Sequence, residues 1–339
     1  MSARIEQIAK GSPDAAQFIE RELSNLGAQY VVKSDGFIAR LMAPAVPVQE
    51  QGGKFWEYSK ADFRRNEMQV RGDGDAAALG GYGRTEKTYW TEVYALAKKV
   101  GPREMANNPR ADQSAVRYLS GKSLLHGEGL FGSQCWGTGK WTTEKTGHAT
   151  PTGSQILTWR SSSAKPIEQL TATIKETNKI SGGFKVNRLA FGANAWDVFR
   201  NHANVLAYIN GGATAVNPSI VTRQLVAQIL EVEQVLVADA THTTSAPGAS
   251  TSTFDYILDG DGVLGLHATD GPSLDEPSAA YHFDWTGYLG ASSVGLAIFE
   301  EPIPLSGGAK LYTVEHALET KKIAADLGFW LQDILVAAS

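Results

Sequence analysis

One cysteine, Cys135, is all the thiol chemistry in the 339 residues. It excludes an internal disulfide framework and suits a reducing cytoplasm. Long apolar runs are missing too: none approaches the ~18 residues needed to span a bilayer. The start, Met1-Ser2-Ala3-Arg4-Ile5, lacks the apolar core of a secretory leader, so the chain is expected to stay where it is made. No block of like charge occurs. With 31 Lys and Arg against 36 Asp and Glu, the formal net charge is −5, and composition gives no sign of a protein that grips nucleic acid directly. No repeat of fixed period is present, which removes solenoids and propellers.

Motifs for catalysis and cofactor binding fail in turn. The seven histidines show no H-x-x-x-H or H-E-x-x-H spacing for a metal. His202, closing a short predicted helix, reads as a helix-end cation. No G-x-S-x-G elbow occurs. Gly121-Lys122-Ser123 has the tail of a phosphate-binding loop, but Val116 stands where its first glycine belongs, so Lys122 is expected to be a solvated helix lysine. Gly260, Gly262 and Gly265 match G-x-G-x-x-G after the strand-like Phe254 to Leu258. The following residues, Leu266 to Pro272, cannot form the helix whose N-terminus would face a pyrophosphate, so a hairpin turn is expected. Asp259 and Asp261 hint at calcium, but the remaining oxygen ligands are absent. Arg71-Gly72-Asp73 falls in a loop. Gly132-Ser133-Gln134-Cys135-Trp136 superficially resembles the nucleophile segment of papain-like proteases, with His267 and His282 at fitting distances downstream. The usual second cysteine, upstream Gln and downstream Asn-Ser-Trp are missing, so a buried structural thiol is expected. No catalytic, cofactor-binding or metal site is assigned.

What is present is globular material, 42% hydrophobic and 20% charged, enough for one large or two modest domains. Residues 12–26 predict a short amphipathic helix with Phe18, Ile19, Leu23 and Leu26 on one face. Val46 to Arg71 is strand-like, with Gly52-Gly53 as a turn. The segment 72–83 is a Gly- and Ala-rich loop, and Thr85 to Val100 is strand-like again. Together they predict an extended hairpin of about fifteen residues per arm, projecting roughly 50 Å, for which a solitary monomer has little use. Asn108-Pro109 starts a helix running through Leu119 and Leu124 to about Ser133. Its glycines, Gly121, Gly127, Gly129 and Gly132, each cost up to ~1 kcal/mol. They mean a shorter or kinked helix, or a close approach by another backbone. Residues 137–163 read as a loop.

Beyond it lies α/β texture. A helix from Pro166 carries Ile167, Leu170 and Ile174 and ends by Gly182-Gly183. A strand Val186 to Phe191, a helix from Asn194, a helix from Asn217-Pro218 and a strand Gln234 to Asp239 follow. The loop 240–253 is expected to be exposed, and further strands are expected at 254–258, 263–267, 294–300, 311–319 and 326–335.

Several stretches carry a family resemblance: Pro44-Ala45-Val46-Pro47-Val48 before the hairpin, Leu124-Leu125-His126-Gly127-Glu128 in the long helix with Trp136 just beyond, and Val186-Asn187-Arg188-Leu189-Ala190-Phe191-Gly192. His202 to Ile209, Leu225 to Val237, Tyr281-His282-Phe283-Asp284-Trp285, Val314-Glu315, Lys321-Lys322 and Asp326-Leu327-Gly328-Phe329-Trp330 complete it. In this order they resemble the major capsid proteins of tailed bacteriophages, of the Hong Kong 97-type fold, over roughly residues 40–335. The resemblance implies an α+β chain with an N-terminal arm (1–40) and an extended hairpin loop with flanking strands (41–100). A peripheral domain with a spine helix (101–165), an axial α/β domain (166–290) and return strands completing the peripheral domain (291–339) follow. It implies a structural subunit, not an enzyme, that self-assembles into hexamers and pentamers of an icosahedral head around double-stranded DNA. Scaffolding, portal and decoration proteins are implied partners. DNA would be met on the inner face without sequence recognition, and no membrane is involved. The virion is the implied location, after assembly in the host cytoplasm. Some relatives cross-link a Lys to an Asn with a catalytic Glu; nothing here identifies that trio. A mildly acidic inner face, repelling the incoming genome, is expected. The alternatives are a nanocompartment shell of the same fold and a cryptic papain-like hydrolase using Cys135.

Overall fold

From Phe37 onward the chain builds two main sheets and lays one long helix against both. The computed structural model describes residues 36–58, 60–73, 76–209, 221–246, 248–271, 277–288, 295–303 and 307–337. The helix expected at 12–26 lies outside them. The path begins with α1 (Ala39–Met42), β1 (Ala45–Val48), β2 (Gly52–Tyr58) and α2 (Lys60–Phe63), then β3 (Arg84–Trp90), β4 (Glu92–Val100), α3 (Pro102–Asn107) and α4 (Ala111–Cys135). β5 (Thr143–His148), β6 (Ile156–Leu157), α5 (Pro166–Ile180), β7 (Arg188–Gly192), α6 (Ala193–Asn201), α7 (Ala203–Ile209), α8 (Arg223–Leu230) and β8 (Gln234–Ala238) form its middle. The last elements are β9 (Thr241–Thr243), β10 (Phe254–Tyr256), β11 (Val263–Leu266), β12 (Ala280–Trp285), β13 (Leu296–Pro302), β14 (Lys310–Lys322) and β15 (Gly328–Gln332). No helix among the described residues is long and apolar enough to cross a membrane.

β14 is the axis of the first sheet. Leu318 pairs with Asp284 of β12 and with Glu92 of β4, so those strands lie on opposite edges of β14; β13 pairs with its first half, and β1 runs parallel to β12. Alternate residues of β14 share a face. Tyr312 and Val314 pack with Ala111, Ala115, Val116 and Leu119 of α4, and His316 follows on the same side, bonded to Ser123 of α4. The second sheet has the order β6-β5-β15-β11-β7-β8. Every residue of β7 and β11 is buried, as expected of central strands covered on both faces. Leu170, Ile174, Trp196, Phe199 and Val226 of its helices share a core cluster with Phe191, Val235 and Phe329.

Several expectations are corrected. The strand drawn over 85–100 breaks at Thr91, whose N–H and hydroxyl both donate to the Gln51 carbonyl (2.8 and 2.9 Å). There the chain changes partners: β3 pairs with β2, and β4 leaves for β14. The paired arms are therefore seven residues each, about 23 Å and not 50 Å. Gly52 and Gly53 are not a turn but the start of β2. A Cβ on either would lie 2.6 Å from the ring of Trp90 or the hydroxyl of Tyr89, so glycine lets the partner strand's rings lie across the ladder. The loop expected at 137–163 contains β5 and β6, and 240–253 contains β9, which pairs with β10. β12 and α3 were not foreseen. The helix placed at Asn217-Pro218 begins, within the described residues, at Arg223, where the Thr222 hydroxyl accepts the Leu225 N–H (3.3 Å). The strand drawn from 326 starts at Gly328, after a single 3-10 turn.

The long helix is neither shortened nor split: α4 runs for 25 residues, about 37 Å. It starts two residues after Pro109, where Asn108 Oδ1 accepts the Arg110 N–H (3.0 Å). Gly132 does meet a close neighbour, since a Cβ there would lie 2.7 Å from Leu258 Cδ2; nothing in the structure accounts for Gly127 and Gly129. Segments adjacent in sequence also divide between the sheets. β5 and β6 join the second sheet together with β15, whereas β12 joins the first.

Candidate assembly surfaces

The chemistry-bearing candidates come apart in the fold. Cys135 ends α4 fully buried, and burial pushes its thiol up to about 12 against the pull of Lys140 and Lys322; a nucleophilic thiolate needs the reverse. His267 Nδ1 donates to the Lys185 carbonyl (2.7 Å), and His282 Nδ1 bonds the Thr320 hydroxyl (2.7 Å). Neither ring reaches the thiol. Burial, with the Arg40 cation adding to it, holds His282 down at about 3.

Gly262 and Gly265 lie beneath the rings of Trp330 and Phe329, where any Cβ would collide. The segment between β10 and β11 joins two sheets and is not the expected hairpin turn, because β10 pairs with β9 and β11 with β15 and β7. Lys122 is exposed in the middle of α4. Asp259 accepts the Asp261 N–H (3.0 Å), and Asp261 accepts from Asn194 (2.9 Å). Burial, then the neighbouring carboxylates, raises Asp259, while the Asp261 N–H opposes. Among the described residues no group of three or more His, Cys, Asp or Glu is placed to hold a metal. Arg71 to Asp73 is exposed and irregular. His202 caps the end of α6, where its Nδ1 accepts the Asn204 N–H (3.2 Å) and its Nε2 donates to the Ser161 carbonyl (3.1 Å), tying α7 to the loop before α5.

What the fold does build is a hairpin fixed at one end. At its root Tyr89 stacks on Phe283 (centroids 4.6 Å, planes 6° apart) and Phe55 packs beside it (5.8 Å). Glu319 accepts the Trp90 N–H (2.7 Å), Lys321 donates to the Thr88 carbonyl, and the Gln51 amide donates to the Thr91 carbonyl (3.1 Å). Along the ladder, Arg84 covers the Trp56 ring at 4.3 Å and Lys54 pairs with Glu86 (2.5 Å). Just past α2, Arg64 lies over the Phe184 ring (5.7 Å), and beyond it this support ends. Met68, Val70 and Leu79 are 92%, 103% and 100% exposed: three apolar side chains that no described residue covers.

A second construction bolts residues 38–40 to the long helix and to β12. Glu128 of α4, buried, accepts the N–H groups of Ile38 (3.2 Å) and Ala39 (3.0 Å). The next residue, Arg40, grips Asp284 of β12 with two bonds (2.8 and 3.0 Å). Its Nη2 also meets His316 Nε2 at 3.3 Å. Arginine can only donate, so His316 Nε2 is the acceptor and its Nδ1–H is left for Ser123 of α4.

Burial pushes Glu128 up to about 7, although its two backbone N–H partners oppose this. An acid raised in the fold keeps a proton that the unfolded chain has released. Its contribution is full below the unfolded value near 4.5 and is lost as pH rises through about 7. We expect Glu128→Gln to flatten this dependence, so that the stability difference between variant and parent shifts by on the order of 2 kcal/mol between pH 4.5 and 8. Urea melts at both pH values measure it. Parallel pH profiles for the two proteins would mean that Glu128 is solvated.

No protein-family model matches the chain, and no curated protein does. Solved structures do match. A phage-related protein from Bordetella bronchiseptica aligns over 94% of this chain and 99% of its own, with a TM-score of 0.69 at 20% identity. An encapsulin complex from Synechococcus elongatus aligns over 90% of each chain, with a TM-score of 0.54 at 12% identity. The mature capsid of bacteriophage PhiM1 aligns over 86% of each, with a TM-score of 0.52 at 8% identity. Identities this low establish the fold. It is the α+β fold of the Hong Kong 97-type capsid proteins.

Proposed function

We propose that this chain is the repeated structural subunit of an icosahedral phage head that encloses double-stranded DNA, a homo-oligomer arranged in hexamers and pentamers. The observation that carries the reading is the hairpin: fixed at its root by Tyr89, Phe283 and Glu319, it ends in apolar side chains that no described residue covers and that a neighbouring subunit would. A capsid fold with an overlapping element suits large contacts repeated by symmetry. In this reading residues 1–40 form an arm, 41–100 the overlapping loop with its flanking strands β1 and β4, and α4 with the rest of the β14 sheet the peripheral part. The second sheet and its helices form the axial part. Scaffolding, portal and decoration proteins are the expected further partners. Assembly takes place in the host cytoplasm, and the virion is the destination. Electron microscopy of the purified chain tests the proposal: closed shells are expected, and a monomer under every assembly condition, with or without scaffold, overturns it.

A nanocompartment shell is the second reading, favoured by the likeness to the encapsulin complex. Nuclease-protected DNA inside particles from the native source supports the phage head, and an enclosed enzyme supports the compartment. The subunit's role is structural in both. We therefore expect Cys135→Ser to lower stability by about 1–3 kcal/mol, the cost of a hydroxyl at a fully buried site, and still to assemble into shells below its melting temperature. A hydrolase activity that this substitution abolished would displace both shell readings.

A further inference from the structure

The net charge of −5 hides an uneven distribution. Between residues 98 and 122 the basic residues are Lys98, Lys99, Arg103, Arg110, Arg117 and Lys122, against only Glu104 and Asp112. Lys98 is partly neutralised by Glu104 (3.8 Å). Asp112 is turned toward the core, where burial, then Asp112 and Glu300, push the Tyr312 hydroxyl up. Arg103 on α3, Arg110 just before α4, and Arg117 and Lys122 on α4 are all exposed. Among the described residues none of these four forms an ion pair. Tyr118, 51% exposed, stands among them, with the Lys98 and Lys122 ammonium groups each 5.7 Å from its ring centroid.

Helix stability does not explain this placement. The first turns of a helix favour acids, because the macrodipole is positive there, yet Arg110 flanks the start of α4 and Arg117 follows two turns on. The dipole adds to their field. From Arg110 to Lys122 the cations span about 18 Å of helix, a length over which double-stranded DNA carries roughly ten phosphate charges.

We propose that the exposed face of the first half of α4, together with Arg103, is a polyanion-docking strip occupied by the phosphate backbone of the enclosed DNA. That occupant rests on the phage-head reading above, and it replaces, at this strip, the acidic inner face expected from net charge alone. The contacts are ionic, without base recognition, and the Tyr118 ring beside Lys122 leaves that ammonium's N–H groups free to reach phosphate oxygens.

The test uses the unassembled full-length chain and a fluorescein-labelled 20-base-pair duplex of arbitrary sequence, titrated by anisotropy across a salt series. Four phosphate contacts predict a log–log slope of about −3.6. Arg110→Gln/Arg117→Gln/Lys122→Gln should cut the slope to about −1 and weaken binding at least tenfold at 50 mM salt. Lys122→Gln alone, a single exposed change, should remove about one unit of slope if the triple variant does not fold. No binding by the parent chain at low salt, or a slope unchanged in the variants, overturns the proposal. So does a triple variant that stops assembling yet binds DNA as before, for then the strip faces acids of another copy. A parent chain that never forms shells but binds DNA with this slope would remove the phage-head reading and leave the strip standing.

Discussion

Asp284→Ala is expected to lower the stability of the fold by about 3 kcal/mol, the low end of what breaking a buried ion pair costs. The Asp284 side chain is fully buried, and that of Arg40 is 22% exposed. Burial pushes the Asp284 carboxyl up, and the Arg40 guanidinium beside it pulls it back through charge and two hydrogen bonds. Such a pair adds little net stability while intact, since desolvation offsets attraction, but removing one partner strands the other. Here the stranded group is a guanidinium beside His316 and the buried His282, of which the first accepts weakly and the second adds no counter-charge. The partial exposure of Arg40 lets water reach it, which keeps the loss at the low end. Arg40→Met/Asp284→Leu, removing both charges, should recover most of the loss. Urea denaturation of parent, single and double variants closes the cycle. A single variant within 0.5 kcal/mol of the parent would refute the bolt.

The sequence was legible where one face served one core. α5 keeps Ile167, Leu170 and Ile174 against a single cluster, and its stop at Gly182-Gly183 coincides with two positive φ angles (79° and 97°) that glycine adopts without strain. α4 was readable as a helix but not in length. Its first half buries Ala115, Val116 and Leu119 against β14, and its second half buries Phe131 and Cys135 against the other sheet. The buried stripe therefore turns by roughly a third of a circle along the helix, and no single period describes it. The break at Thr91 was hidden for another reason. Alternation continues through it, and only the choice of partner strand changes, which is a tertiary fact.

The buried bolt was equally hidden. Glu128, His316 and Asp284 are far apart in sequence, and each by itself is an ordinary surface residue type. One signal was available: the polar His282 and Asp284 within the aromatic run Tyr281 to Trp285, since polar groups in such a run need buried partners. Leu79 carried the opposite message, a hydrophobe in the Gly-rich loop, whereas Met68 and Val70 sat in the stretch read as strand-like, which is irregular there. The cationic strip was masked by averaging, because a whole-chain charge says nothing about where the cations sit.

The hairpin tip carries the largest effect we expect. Met68→Ser/Val70→Ser/Leu79→Ser should leave the melting temperature of the unassembled chain unchanged, because these side chains bury nothing in it and surface changes of this kind move stability by under about 0.5 kcal/mol. Shell formation should nevertheless collapse. An apolar side chain fully covered by a neighbour contributes about 1.5–3 kcal/mol, so three together remove roughly 5–8 kcal/mol from every subunit contact, a factor of several thousand or more in association. Because the contact recurs around a closed shell, the loss multiplies with each subunit added. Sedimentation and electron microscopy of the variant, beside its thermal melt, separate the two quantities. If the variant closes into shells at the parental concentration, the tip is not the element that joins the subunits, and contacts through the two sheets would have to hold the particle instead. A variant that melts early would show that the tip packs on its own chain, which near-complete exposure of all three side chains contradicts.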